Sequence, residues 1–75
     1  PKTTFIQAAI KAKNDIIIHY ESATSDKSIR TISPIRIINK LTNGKTHQLI
    51  YSFCHQRKQH RGFRLDRIKQ YRPII

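Results

Sequence analysis

The chain lacks tryptophan and methionine, and it has one cysteine, two glycines and four acidic residues. A single cysteine, Cys54, forbids an internal disulfide and fits a reducing, cytoplasmic setting. His47, Cys54, His55 and His60 do not fall into the close ligand pairs of a zinc site, so no metal is expected. The acids Asp15, Glu21, Asp26 and Asp66 are scattered, which leaves no carboxylate pair for acid–base or metal-ion chemistry. Gly44 and Gly62 stand too far apart for a phosphate-cradling loop. No catalytic residue and no cofactor is therefore assigned, and the expected product is not an enzyme. No apolar run approaches the ~20 residues of a membrane-spanning helix, and no signal peptide is visible.

What remains is positive charge on a small frame. Fifteen Lys and Arg against four acids give +11 with neutral histidines. Such a field attracts polyanions, and nucleic acid is the first candidate. Seventy-five residues, 37 % of them apolar, suffice for one domain with one small core. The chain begins at Pro1 without a methionine and is expected to be a piece of a larger protein.

Periodicity predicts one helix and then strands. Residues 4–13 carry Phe5, Ile6, Ala9 and Ile10 on one helical face, with Thr4 and Gln7 spaced as a capping box and Asn14 as the stop. Residues 15–21 read as a first strand, with Ile16, Ile18 and Tyr20 on one face and Ile17 and His19 on the other. A polar turn leads to strands at 28–33 and 35–40, separated at Pro34, which has no N–H to give to a ladder. Asn43-Gly44 is a hairpin signal, because both residues accept positive φ. The partner strand is 46–54, and a basic loop leads to a fifth strand at 61–66. Residues 68–75 either pack back or lead toward a neighbouring segment. The expected fold is mainly β: a five-stranded Sm-like or SH3-like barrel after one N-terminal helix, closed so that no edge is left free.

Three stretches resemble a known family: "IIHYES", "RTISP" and "CHQRKQHRGFRLDRI" are similar to the WYL domain. The resemblance runs over residues 5–70. Tyr20 ends the first strand; Arg30, Ile32 and Pro34 follow the Arg-x-hydrophobic-x-Pro pattern; Cys54 to Ile68 match the closing signature in spacing and nearly in letters. The Trp-Tyr-Leu triplet that names the family falls here on Gln48-Leu49-Ile50. The resemblance implies a helix followed by an Sm-like or SH3-like sheet. It implies a module that follows a winged helix in bacterial transcription regulators, or that is attached to DNA helicases or CRISPR accessory proteins. Its ligand would be single-stranded nucleic acid or a nucleotide-like anion.

"HRGFRLDRI", residues 60–68, concentrates the question. As a strand it puts Arg61, Phe63, Leu65 and Arg67 on one face and Gly62, Arg64 and Asp66 on the other. Arg64 is then either a solvated partner of Asp66 or Glu21, or a two-pronged anion contact held in place by Asp66. The candidate phosphate contacts are Arg30, Arg57, Arg61, Arg64 and Arg67, with Tyr20 and Tyr51 as base contacts and His55 facing a phosphate. Phe53 is expected in the core, and Cys54 as a small buried hydrophobe. The leading reading is a nucleic-acid-binding accessory module, most favourably for single strands, attached to a larger enzyme such as a helicase. The alternative is an effector-sensing domain of a transcription regulator; a third is a module for self-association, such as a homodimer.

Overall fold

The computed structural model describes residues 1–74; Ile75, the last residue of the tail segment, lies outside them. Helix α1 spans Lys2–Ala12 and is followed by strands β1 (Ile16–Glu21), β2 (Lys27–Thr42), β3 (Lys45–Cys54), β4 (Gln59–Arg64) and β5 (Ile68–Pro73). A 3-10 turn, Leu65–Arg67, joins β4 to β5. The strands form one antiparallel sheet in the order β4-β3-β2-β1-β5.

The count of five strands is as expected, but their make-up is not. Segments 28–33 and 35–40 form one strand, β2. Pro34 bends it without breaking it: Pro34 pairs with Ser52 and Arg36 with Tyr51, so Ile35 is the extra residue of a bulge. The segment expected to continue as strand through residue 66 turns into the 3-10 helix after Arg64. The tail then supplies β5, which pairs along β1 with Lys69 as a second bulge residue.

The barrel is not closed. β4 and β5 are the two outer strands, and no ladder joins them. Yet only three residues separate them in sequence, so the sheet must curl until its edges approach. One hydrogen bond crosses the seam: the Arg64 backbone N–H donates to the Tyr20 hydroxyl at 3.2 Å.

The helix starts earlier and stops earlier than its spacing suggested. Phe5 N–H donates to the Pro1 carbonyl at 3.1 Å, so Pro1 rather than Thr4 is the N-cap, and it makes no side-chain cap. At the other end Lys13, not Asn14, takes the left-handed conformation, with φ 57°. Asn14 N–H to Ala9 O (2.9 Å) and Lys13 N–H to Ile10 O (3.2 Å) complete a Schellman motif. The Asn43-Gly44 turn is as expected, with φ 52° and 76°.

The core lies inside the curl. Ile16 and Ile18 of β1, Ile32 of β2, Ile50 and Cys54 of β3, Phe63, Leu65 and Ile68 pack with Ile6 and Ala9 of α1. Phe53 is a correction. It points to the outer side of the sheet with Tyr51 and stays half-buried, because Ile50, Ser52 and Cys54 already hold the inner side of β3. Phe63→Ala should cost about 3–5 kcal/mol of stability, and Phe53→Ala clearly less. Urea denaturation of the two variants checks this; equal losses would put Phe53 back in the core.

Candidate ligand-binding site

Alternation along β1 and β2 decides where the candidates point. Ile18 pairs with Arg30 and Tyr20 with Ser28, and Ile18 is fully buried, so Tyr20, Ser28 and Arg30 share the inner side of the curl. On β4, Phe63 pairs with buried Ile50 and Arg61 with buried Ser52, which puts Arg61 on the inner side too. Helix α1 packs against this interior through Ile6 and Ala9; Phe5 meets Tyr71 at 5.0 Å, and the Lys2 ammonium donates to the Leu65 carbonyl at 2.7 Å.

The side chains around Arg30 form a partial ring. Arg30 Nε donates to Ser28 Oγ at 3.2 Å, and its Nη1 lies 3.5 Å from Cys54 Sγ. Cys54 pairs with Gln59, so Arg61 is its diagonal neighbour on β4. The Arg61 guanidinium lies 5.4 Å from the Phe63 ring centroid. Phe63 meets Tyr20 edge to face at 5.1 Å, and Tyr20 pairs with Ser28. Two guanidiniums, the half-buried Tyr20 and the Ser28 hydroxyl thus share the inner side of the curl, while the Phe63 ring is fully buried. Neither Arg30 nor Arg61 has a carboxylate partner among the described residues. Both are half-buried, where a cation gains more from an anion than it does in open water.

Cys54 supports the ring from below. Burial pushes its thiol up, but the Arg57 backbone N–H, the Arg30 guanidinium and the Gln56 backbone N–H outweigh this and hold it below the ordinary cysteine value. Cys54 is fully buried, as expected for a small hydrophobe, and it also helps hold Arg30.

The other candidates are elsewhere. Tyr51, His55 and Arg64 lie on the outer side of the sheet. Arg57 is exposed in the β3–β4 turn. Arg67 is half-buried in the 3-10 turn, so it does not continue the row of Arg61. Sequence reasoning missed Ser28 and Phe63 as ring members and Arg36 and His60 on the outer side. The alternation Ser28-x-Arg30-x-Ile32 carried the signal for Ser28, since a buried Ile32 fixes the side of all three.

Asp66 holds Arg64 as the sequence suggested. Arg64 Nε meets Asp66 Oδ1 at 3.0 Å and Nη2 meets Oδ2 at 2.5 Å, a two-pronged pair. Asp15, Ser33 and His55 form a second polar cluster on the outer side. The Ser33 hydroxyl donates to Asp15 at 2.7 Å, so it accepts from His55 Nε2, also at 2.7 Å. The composition is that of a hydrolytic triad, but the order is not: the serine hydroxyl donates to the aspartate rather than to the histidine. The cluster instead clamps the β3–β4 turn to β2, together with Gln56 Oε1, which accepts from the Thr31 N–H at 2.9 Å. Among the described residues, no three His, Cys, Asp or Glu converge as metal ligands, and no helix is long and apolar enough to cross a membrane.

The family model described as "WYL domain" matches residues 2–73. The chain belongs to the WYL domain family. No curated protein matches the sequence. Among solved structures, proteasome accessory factor B/C (PafBC) of Arthrobacter aurescens is similar, with a TM-score of 0.81 and 25 % identity. The match covers 96 % of this chain and 11 % of PafBC, so this WYL domain spans about a tenth of that neighbour's length.

The Arg64 hydrogen bond, with the nearby positive charge of Arg64 and Arg67, holds the Asp66 carboxyl below the usual aspartate range. A depressed carboxyl stabilises the fold above its unfolded value, near pH 4, and loses that contribution as pH falls through the folded value. The Tm gap between wild type and Asp66→Asn should therefore be constant from pH 7 to about 5 and close at lower pH. A gap that persists in strong acid would show that the carboxylate charge is not its cause.

Proposed function

We propose that this WYL domain is the ligand-binding, regulatory module of a larger protein, and that its ligand is single-stranded nucleic acid. Family membership and the likeness to PafBC support the ligand-binding, regulatory part of the reading. One observation carries the rest: two half-buried guanidiniums without carboxylate partners, Arg30 and Arg61, lie on the inner side of the curl with the half-buried ring of Tyr20.

The chemistry follows from the geometry. A phosphate between Arg30 and Arg61 would meet donors already oriented, by Ser28 and Cys54 on one side and by the Phe63 ring on the other. An unstacked base is accessible only in a single strand, and an aromatic ring such as Tyr20 accepts any base on its face. A duplex would present backbone charge but no free base to these side chains. Arg57 and Lys58, in the adjoining exposed turn, add long-range attraction. The module binds and does not catalyse.

The parent can be an enzyme such as a helicase or a regulator. The likeness to PafBC, an accessory factor by its name, favours the regulator, in which the bound strand is an effector.

Titration with single-stranded and duplex oligonucleotides tests the reading. Arg30→Ala and Arg61→Ala should each weaken single-strand binding by about 1.5–3 kcal/mol. Arg64→Ala should cost less, because Asp66 already takes half of its fork. Unchanged affinity in both inner variants would move the site elsewhere. In the wild type, log K should fall with log salt at about −0.7 per phosphate contact; a flat dependence would point to an uncharged ligand.

A further inference from the structure

The outer side of the sheet carries a second concentration of rings. Tyr51 and Phe53 of β3 and His60 of β4 stand beside one another: Tyr51 and His60 are parallel within 9° at 5.5 Å, and Phe53 meets His60 at 5.2 Å. His55 extends the group, 5.7 Å from Phe53, and the Arg36 guanidinium lies 4.9 Å from the Tyr51 centroid. Arg64 flanks it on β4. The two carboxylates at its borders are already engaged, Asp15 with Ser33 and Asp66 with Arg64. The face therefore offers aromatic surface within a cationic frame.

This face and the ring of the proposed ligand site are neighbours around one edge. β4 is an outer strand of the sheet, so along it Arg61 points to the ring while His60, Gly62 and Arg64 point to the outer side. Only one strand, about 5 Å wide, separates the two surfaces. At the middle of that strand stands Gly62, exposed and without a side chain. Neither its conformation nor its space requires glycine: its φ is not positive, and an added Cβ would meet only the Leu49 side chain, at 3.4 Å from Cδ2 and 3.9 Å from Cβ. The bare backbone leaves the crossing clear.

We infer that a bound single strand passes over the β4 edge at Gly62 and lays its following bases on the Tyr51–Phe53–His60 face. This rests on the proposed single-strand reading of the ring. It adds a second subsite of base-stacking chemistry, flanked by Arg36 and Arg64 as phosphate contacts. The occupant is a nucleic acid rather than an acidic peptide because the rings lie at adjacent positions of neighbouring strands. That spacing suits successive bases on a sheet.

The test compares deoxyoligonucleotides of two and ten residues, each containing 2-aminopurine, whose fluorescence falls when it stacks. Three variants serve: Phe53→Leu, which keeps apolar bulk without a ring face; His60→Ala, at an exposed position; and Gly62→Val, which obstructs the crossing with a residue that suits a strand. Circular dichroism melts confirm that each is folded. Each variant should weaken ten-residue binding by about ten-fold, reduce the quenching and leave two-residue binding unchanged. Ten-residue affinity within two-fold of wild type in all three would overturn the outer subsite and leave the ring reading intact. Equal losses for both lengths would also overturn it, because the variants would then act through the ring. A wild type that binds neither length would remove the ring reading itself, and this inference with it.

Discussion

The connection between β4 and β5 governs this structure. The two outer strands of a five-stranded sheet are joined by three residues, Leu65–Arg67. A flat sheet would place them four strand spacings apart, roughly 19 Å, farther than that linker spans comfortably. The sheet therefore curls, and its inner side becomes an interior that isoleucines and Phe63 fill. Helix α1 packs into one part of that interior through Ile6 and Ala9. Arg30 and Arg61 lie on that same inner side.

The curl explains why Tyr20 matters twice. Its ring packs on Phe63 across the interior, and its hydroxyl takes the Arg64 N–H that β4, as an edge, offers to no strand. A tyrosine can do both because its body is apolar and its tip polar. The same contact brings β1 and β4 together, so it sets the spacing between Arg30 and Arg61.

Much of this was legible in the sequence. The helix-then-strands order followed from periodicity, the hairpin from Asn43-Gly44, and the face shared by Ile16, Ile18 and Tyr20 from alternation. The Arg64–Asp66 pair followed from spacing. Other features depend on long-range geometry that local pattern does not carry. Pro34 looked like a boundary, yet a bulge at Ile35 absorbs its missing donor and β2 runs on. The tail IKQYRP has weak strand character, and only its docking on β1 makes it β5. Arg30 and Arg61 lie 31 positions apart, and only the sheet puts them on one inner side. The three arginines of "HRGFRLDRI" illustrate the limit: alternation separates Arg61 from Arg64, and the 3-10 turn takes Arg67 out of the row.

The ligand is proposed to sit against Tyr20, Ser28, Arg30 and Arg61. An amide chemical-shift map of the domain, titrated with a short single-stranded oligonucleotide, tests this directly. The largest shifts are expected at Tyr20, Ser28, Arg30, Cys54, Arg61 and Phe63, with α1 and the Asn43-Gly44 hairpin unaffected. Shifts concentrated on α1 or that hairpin, with the ring residues silent, would contradict it.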